Sequence, residues 1–334
     1  MSRRRAWIIA CLSLAVLLPS LARAQEQGYA FRWSNFRIEF AGGWAGSGLG
    51  DLKTAAQNEN LYLDHYFLKK YAAYAPVYRY TAGKAFLPLE AVTPIGASIR
   101  YQVSPTFALS LGVQYLRGER TSDVGLDVEV GNDPAGIPFT AHYRNQGFLQ
   151  SVKAWMPQLG AHFGWDLLKA LRTEIYLLGG PILGDCRIWS QRRESLTAAE
   201  CTTASGYRTL EMTGRSTSVA IELGGQVRFK LLPFLEVYGQ GGYAFRKLAK
   251  IRGPRTIRTV AESPVPSDTL YSLTGIWGRT WEKADTPWGA YASPTLTTEY
   301  GTQAWSFDSG MFGTASANVD LSGFQMTAGI SIRL

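Results

Sequence analysis

The chain is poor in the residues that carry most catalytic and metal chemistry. Its 334 residues include three cysteines and three histidines, and charged residues make up 18% of the total. Three cysteines cannot form the disulfide framework of a small secreted domain. The HExxH pattern of zinc enzymes, the GxxxxGK[ST] pattern of phosphate-binding loops and a cysteine-rich metal spacing do not occur in the sequence. We therefore expect no cofactor, no metal site and no enzymatic activity.

The sequence also lacks an apolar run long enough for a transmembrane helix. Arg3, Arg4 and Arg5 precede an apolar stretch over residues 8–18, and Ala22 and Ala24 stand at the −3 and −1 positions of a signal-peptidase site. About eleven apolar residues are too few to span roughly 30 Å of hydrocarbon. We predict that residues 1–24 are a cleaved signal peptide and that residues 25–334 form a single domain.

The net charge does not indicate a nucleic-acid-binding protein. The formal charge of +8 falls to +4 once the predicted signal peptide, with its four arginines and no acid, is removed. A net charge this small over the remaining residues does not indicate a generally basic surface. We expect no nucleic-acid partner.

Apolar and polar residues alternate with period two in eight segments of about ten residues, the length of a membrane-crossing strand. In the first segment, Phe36, Ile38 and Phe40 alternate with Arg37 and Glu39. Short turns separate pairs of segments, and they alternate with four long connections near residues 46–93, 118–151, 185–216 and 247–319. This pattern predicts an all-β fold, a transmembrane antiparallel up-and-down β-barrel of eight strands with four long extracellular loops. A ten-stranded barrel, with the fourth connection adding strands, is the less favoured version.

Aromatic residues near both ends of the apolar faces indicate which face meets lipid. Phe36, Tyr101 and Trp165 lie toward the short turns, and Trp44 and Trp155 lie toward the long connections. Two aromatic girdles around an aliphatic band are typical of lipid interfaces. A soluble lipocalin-like barrel, with the apolar faces inward, is the alternative reading of the same alternation.

The architecture resembles the eight-stranded outer-membrane barrels typified by the OmpA membrane domain and OmpX. The last segment, residues 323–334, resembles the C-terminal signal read by the barrel-assembly machinery, although it ends in Leu334 where an aromatic residue is usual. The resemblance implies a location in the outer membrane of a Gram-negative bacterium. It also implies contacts with outer-membrane lipids and a charged network that plugs the barrel.

Charged residues, Arg246 among them, recur on the faces that this reading turns inward. Because charges in a desolvated interior persist only when paired, we interpret them as an ion network. A small gated pore, with the same pairs as its gate, is the alternative. The predicted network consists of Arg37, Glu39, Arg100, Arg172, Glu174, Glu222, Arg228, Glu236 and Arg333.

The long connections carry the remaining candidate sites. Cys186 and Cys201 could form a disulfide that closes a loop of about 15 residues, worth roughly 3 kcal/mol. Residues 51–74 have mixed helical spacing that is compatible with a short surface helix. A run of six bases without an acid is interpreted as a contact for lipopolysaccharide phosphates, against the alternative of a solvated loop. Its members are Arg246, Lys247, Lys250, Arg252, Arg255 and Arg258.

Four tryptophans in the fourth connection are candidates for binding an extracellular ligand, against the alternative that they pack on each other. They are Trp277, Trp281, Trp288 and Trp305. We expect a non-enzymatic outer-membrane protein with a structural or surface-binding role. A small channel is the alternative, and a lipid A-modifying enzyme is less supported because no histidine here belongs to a His-x-Ser dyad.

Overall fold

A computed structural model describes residues 33–131, 137–198, 201–286, 289–299 and 311–334, and the predicted signal peptide lies outside them. A helix α1 (Asp51–Tyr62) continues through a π-helical segment (Leu63–Leu68) into a short α2 (Lys69–Tyr71). No helix in the described ranges is both long and apolar enough to cross a membrane. The strands are β1 (Phe36–Gly46), β2 (Val77–Tyr80), β3 (Ala91–Ser104), β4 (Phe107–Val130), β5 (Phe139–Leu168), β6 (Leu171–Ala198), β7 (Cys201–Leu232), β8 (Leu235–Ala249), β9 (Arg252–Ser263), β10 (Ser267–Thr286), β11 (Gly289–Glu299), β12 (Met311–Ser316), β13 (Asn318–Asp320) and β14 (Gly323–Arg333).

Eight of these strands form a closed ring of antiparallel hydrogen-bonded pairs. The order around the ring is β1, β3, β4, β5, β6, β7, β8 and β14, and β14 pairs with β1 again. Ring closure aligns Arg37 with Arg333 at one end and Ala45 with Gln325 at the other. Short turns join β3 to β4, β5 to β6 and β7 to β8 at the same end, which we call the turn end. The predicted set of eight antiparallel strands is therefore confirmed.

The two faces of the ring have opposite character. Alternate apolar side chains point outward, and Leu111 and Leu159 are 61% and 68% exposed. The intervening side chains point inward, where Arg100 and Arg228 are each 1% exposed. The soluble-barrel alternative required the apolar faces inside, so the structure contradicts it.

At the end opposite the turns, which we call the far end, several strands continue beyond the ring. β4, β5, β6 and β7 are 24, 30, 28 and 32 residues long. The segments near 118–151 and 185–216, expected as loops, are therefore mostly long hairpins of paired strand. β9 pairs with β7 and β10 pairs with β9 outside the ring, so the described part of the fourth connection extends the sheet and does not enlarge the ring.

An apolar core fills the space between these extended strands. Leu126 and Val128 of β4 and Tyr143 of β5 face it, and all are fully buried. Leu52 and Ala56 of α1 pack into the same core. The helix expected at the surface is therefore a core element, because its apolar side faces an inner sheet surface that has become apolar.

Polar contacts hold α1 in this position. Gln150 is buried; its side chain donates a hydrogen bond to the Leu52 carbonyl and accepts one from the Leu89 amide at 2.8 Å. The Asp51 carboxylate accepts a hydrogen bond from the Asn318 amide at 2.7 Å. Gly50 precedes the helix with a positive φ of 48°, and a Cβ there would lie 2.6 Å from the Asn318 carbonyl oxygen. Glycine is required at this entry to the helix.

The structure corrects the predicted disulfide. Cys186 is a free, buried thiol in the apolar core at the far end. In the β6–β7 hairpin, Cys186 lies opposite Gly214, whereas Cys201 lies opposite Ala198. Twelve residues of strand separate Cys186 from Ala198, which corresponds to about 40 Å at the usual rise per residue. A disulfide needs Cα atoms within about 7 Å, so these two cysteines cannot form one in this register.

Burial raises the pKa of the Cys186 thiol to about 12, with a smaller contribution from Asp185. We predict that Cys186, in a Cys201→Ser background, resists maleimide labelling in the folded protein and labels fully after unfolding. A Ser272→Cys control in a Cys186→Ser/Cys201→Ser background should label in both states, since Ser272 is exposed. Recovery of a Cys186–Cys201 peptide from the wild-type protein under non-reducing conditions would contradict the register.

Candidate functional site

The interior of the ring contains a cluster of fully desolvated charges near the turn end. Arg100 of β3 donates two hydrogen bonds of 2.7 Å to the two carboxylate oxygens of Glu174 on β6. Arg228 of β7 donates to Glu39 of β1 and, at 3.2 Å, to Glu174. The four side chains are at most 5% exposed. Each carboxylate thus has an arginine partner, which is the condition for keeping charge in a dry interior.

Three further residues extend this cluster toward the turn end. Arg37 pairs with Glu236, whose carboxylate also accepts a hydrogen bond from Arg228 at 3.2 Å. Arg172 donates to Glu174 at 2.7 Å. The turn-end cluster therefore joins four arginines and three glutamates from β1, β3, β6, β7 and β8.

A second interior cluster lies closer to the far end. Arg246 of β8 donates to Glu222 at 2.6 Å and to Gln114 at 2.8 Å. Tyr176 donates to the other oxygen of Glu222 at 2.9 Å, and Gln325 contacts that oxygen at 3.3 Å. Arg246 and Glu222 are each 1% exposed. Together, the two clusters place charged and polar side chains across the interior at two levels.

Two residues depart from a site that the sequence pattern predicts for them. Arg246 was predicted both on an inward face and in the lipid-contacting run; the structure confirms the inward position and contradicts the lipid contact. The prediction placed Arg333 in the interior network, but it is exposed at the turn end and donates to the Ser34 carbonyl at 2.7 Å. Arg333 lies at the last position of β14, beyond the enclosed part of the ring.

The rest of the predicted basic run does not act as one unit. Lys247, Lys250 and Arg252 are exposed, whereas Arg255 is half-buried. Arg258 forms an exposed ion pair with Asp268 at 2.7 Å, on the neighbouring strand β10. Although the basic run contains no acid, pairing of β9 with β10 brings Asp268 to Arg258.

The tryptophan prediction is not tested by the structure. Trp277 and Trp281 lie on β10, and Trp288 and Trp305 lie outside the described residues. Their role in binding stays a prediction.

A serine, a histidine and a glutamate approach each other inside the ring, which the sequence spacing did not reveal. Ser110 Oγ lies 2.9 Å from His162 Nε2, and His162 Nδ1 lies 4.0 Å from Glu174 Oε2. Nucleophilic catalysis needs the acid to orient the histidine and a substrate to reach the serine. Here the Glu174 carboxylate is held by arginines, and Ser110 is 8% exposed within the filled interior. The geometry favours a structural role for this histidine.

A crevice of about 450 Å³ opens at the far end between the helical segment and strands β6, β7 and β9. The Arg192 guanidinium stacks 3.5 Å from the centre of the Tyr62 ring and pairs with Glu194 at 3.1 Å. Tyr62 donates a hydrogen bond of 2.8 Å to Glu194. Burial raises the pKa of Tyr62, and although Arg192 opposes the shift, the phenol stays protonated as a donor. Tyr71, Tyr207 and Arg208 also line the crevice.

Comparison with known proteins identifies a distant structural similarity. No family model matches the chain, and no curated protein matches it. The chain is similar to the crystal structure of a major outer membrane protein from Thermus thermophilus, with 12% identity and a TM-score of 0.28. The alignment covers 88% of this chain and 99% of that one. A similarity at this level assigns neither a family nor a function, so membership of an OmpA-like or porin family remains a prediction.

We predict that breaking the turn-end cluster is far more costly than breaking an exposed ion pair. Arg228→Met leaves Glu39 and Glu174 with less compensation in a dry interior, so it should lower the free energy of unfolding by about 3–5 kcal/mol. The matched control Arg258→Met removes an arginine from an exposed ion pair and should leave the free energy of unfolding nearly unchanged. Urea unfolding of both variants in the same detergent measures the difference, and equal small effects would show that the cluster does not stabilise the ring.

Proposed function

We propose that this protein is a closed outer-membrane β-barrel with a structural or surface-binding role, acting through the part that extends from the far end. The observation that carries the proposal is the inversion of the ring, with apolar side chains outside and paired charges inside. The predicted signal peptide supports export, and the outer membrane of a Gram-negative bacterium is the compartment that such a barrel occupies.

The outer face of the ring has the composition of a lipid-facing surface. Leu111, Leu159 and Leu223 lie in its middle, and each is more than half exposed. Trp155 lies toward the far end and Trp165 toward the turns, and both are about half exposed. An aliphatic band between two aromatic girdles is the pattern of membrane barrels. Soluble proteins rarely leave such a large continuous apolar surface in water.

The filled interior favours a closed barrel and argues against a channel. Arg100 and Arg228 each reach across the interior to a carboxylate, and Arg246 pairs with Glu222 of the neighbouring strand and reaches across to Gln114. Each of the three arginines is 1% exposed. Opening a path would require separating several desolvated ion pairs at once, which is costly. The pore alternative would need this rearrangement before any solute could pass.

The extended part supports a surface role. Its own apolar core holds α1 against the strands, so its shape does not depend on the membrane. The crevice presents aromatic and basic side chains, including Tyr71 and Arg208, on this rigid support. Such surfaces are typical of binding sites. Recognition of β14 by the barrel-assembly machinery remains part of the proposal.

Two substitutions with equal exposure distinguish a lipid-facing surface from a solvent-facing one. Leu159 in the middle of β5 is 68% exposed and Leu270 on β10 is 69% exposed. We predict that Leu159→Arg lowers stability in phospholipid vesicles by about 2–4 kcal/mol. Leu270→Arg should change it by about 0.5 kcal/mol or less. Urea unfolding measures the stability of both variants, with loss of the compact, heat-modifiable form on unboiled gels as the readout. Equal tolerance of the two arginines would contradict a membrane location for the ring.

We also predict that the purified protein gives no conductance steps in planar bilayers, because the ion clusters block the interior. Insertion is verified in the same sample by protection of the ring from added protease. A reproducible conductance that changes on Glu39→Ala would contradict the closed barrel and support the gated pore.

A further inference from the structure

A row of charged side chains crosses the outer surface just beyond the apolar band. Strand register places Arg117 opposite Lys153, Lys153 opposite Asp185, Asp185 opposite Arg215, and Arg215 opposite Arg252. The row therefore runs across β4, β5, β6, β7 and β9. Four of its five members are cations, although its first and last members, Arg117 and Arg252, are 135 residues apart in the sequence.

Aromatic and aliphatic side chains lie immediately beside this row, on the membrane side. Side chains two residues apart share a face of a strand, so Tyr115 lies next to Arg117 and Trp155 next to Lys153. The rings of Tyr115 and Trp155 contact each other with centres 4.6 Å apart. Leu183, two residues from Asp185, is 48% exposed. A molecule bound along the row would therefore touch both cations and apolar side chains.

The row lies at the edge of a concave surface. A groove of about 660 Å³ is lined by the cations Lys153, Arg187, Arg215 and Arg252 and by the acids Glu119 and Asp185, with Ser151 and Thr213 between them. A neighbouring cavity of about 450 Å³ shares Arg215 and Arg252 with the groove and adds Lys250. Lys250 has a positive φ of 55° at the break between β8 and β9, which turns the chain at the edge of the groove.

The charges of the groove are only partly compensated. Arg187 pairs with Glu211 and Arg215 pairs with Asp185, each at 2.9 Å and at exposed positions. The groove residue Glu119 pairs with Arg117 of the row at 3.2 Å. Lys153, Lys250 and Arg252 have no carboxylate partner within the part of the chain that the structure describes. Arg215 and Arg252 lie directly opposite each other, an arrangement of like charges that destabilises a sheet. An anion held between them would remove this repulsion.

We propose that the groove binds the phosphorylated headgroup of an outer-leaflet lipid, namely lipopolysaccharide. A lipid phosphate lies between Arg215 and Arg252, where guanidinium groups can donate paired hydrogen bonds to it. Lys153 and Lys250 contact neighbouring phosphates or carboxylates of the headgroup, and the acyl chains lie along Tyr115 and Trp155. This inference rests on the proposed outer-membrane location. It replaces the contiguous basic run with a set drawn from several strands, in which only Lys250 and Arg252 belong to that run.

The test uses the mature protein folded in a neutral detergent, with and without added lipopolysaccharide. The variant Lys153→Gln/Arg215→Gln/Arg252→Gln removes three groove cations. The control Arg79→Gln/Arg193→Gln/Arg258→Gln removes three exposed cations from ion pairs elsewhere beyond the ring. The measurement is the temperature at which the compact, fast-migrating form is lost on unboiled gels. Further arms contain dephosphorylated lipopolysaccharide or inorganic phosphate at matched concentration.

We expect lipopolysaccharide to raise this temperature for the wild type and for the control variant. The groove variant should need about tenfold or more lipopolysaccharide for the same shift, because several contacts with an anionic headgroup are lost. Asp185→Asn should act in the opposite direction, since it removes the one acid of the row. The shifts should shrink as salt rises. Dephosphorylated lipopolysaccharide should give a much smaller shift.

Several outcomes would overturn the site. These are equal shifts for the groove and control variants, an undiminished shift with dephosphorylated lipopolysaccharide, or the same shift with inorganic phosphate alone. If the triple variant does not fold, Arg252→Gln replaces it, because Arg252 has no carboxylate partner among the described residues. If the protein is compact and heat-modifiable but lipopolysaccharide causes no shift, the lipid site is refuted and the proposed function is not. A protein that shows no heat-modifiable form in any detergent overturns the proposed function as well.

Discussion

The arginine–glutamate cluster at the turn end is the interaction on which the ring depends most directly. The interior of an eight-stranded ring is only wide enough for side chains, so water cannot solvate a charge there. Glu39 and Glu174 are tolerated because Arg100 and Arg228 contact both of them from other strands. A slip of one residue in any of these strands would move its charge to the apolar face. The cluster therefore opposes any register other than the observed one.

Both faces of the long strands change character at about the same level. On the outer face of β5, Trp155 is followed toward the far end by Lys153, and on β6 Leu183 is followed by Asp185. On the inner face, the polar lining that includes Glu222 gives way to an apolar core that includes Ile182. The outer face turns from apolar to charged as the inner face turns from polar to apolar. A strand that leaves a lipid environment for water would show this double change, because the outer face then needs charged side chains and the inner face can pack as an apolar core.

Much of the ring could be predicted from local pattern. Period-two alternation identifies strands and separates their two faces without knowledge of any partner, as in Phe36 to Phe40. The inward arginines and glutamates were found in this way, and seven of them meet in the turn-end cluster. Alternation does not show where a strand ends or how far along it a residue lies, and the prediction was wrong on both points. Cys186 and Cys201 are close in sequence but lie at different levels of one long hairpin, and residues 118–130 continue a strand that was expected to end.

The amino-acid sequence alone favoured eight ring strands in antiparallel order and identified most of the residues that face inward, since these follow from side-chain alternation and from the length of the connections. Only the tertiary structure decided which charges meet. Arg37 and Glu236 are 199 residues apart, and Arg228 and Glu39 are 189 apart. Contacts at such separations depend on the stagger of strands around a closed ring. The burial of α1 and the row from Arg117 to Arg252 were decided in the same way, because strand register brought distant segments together.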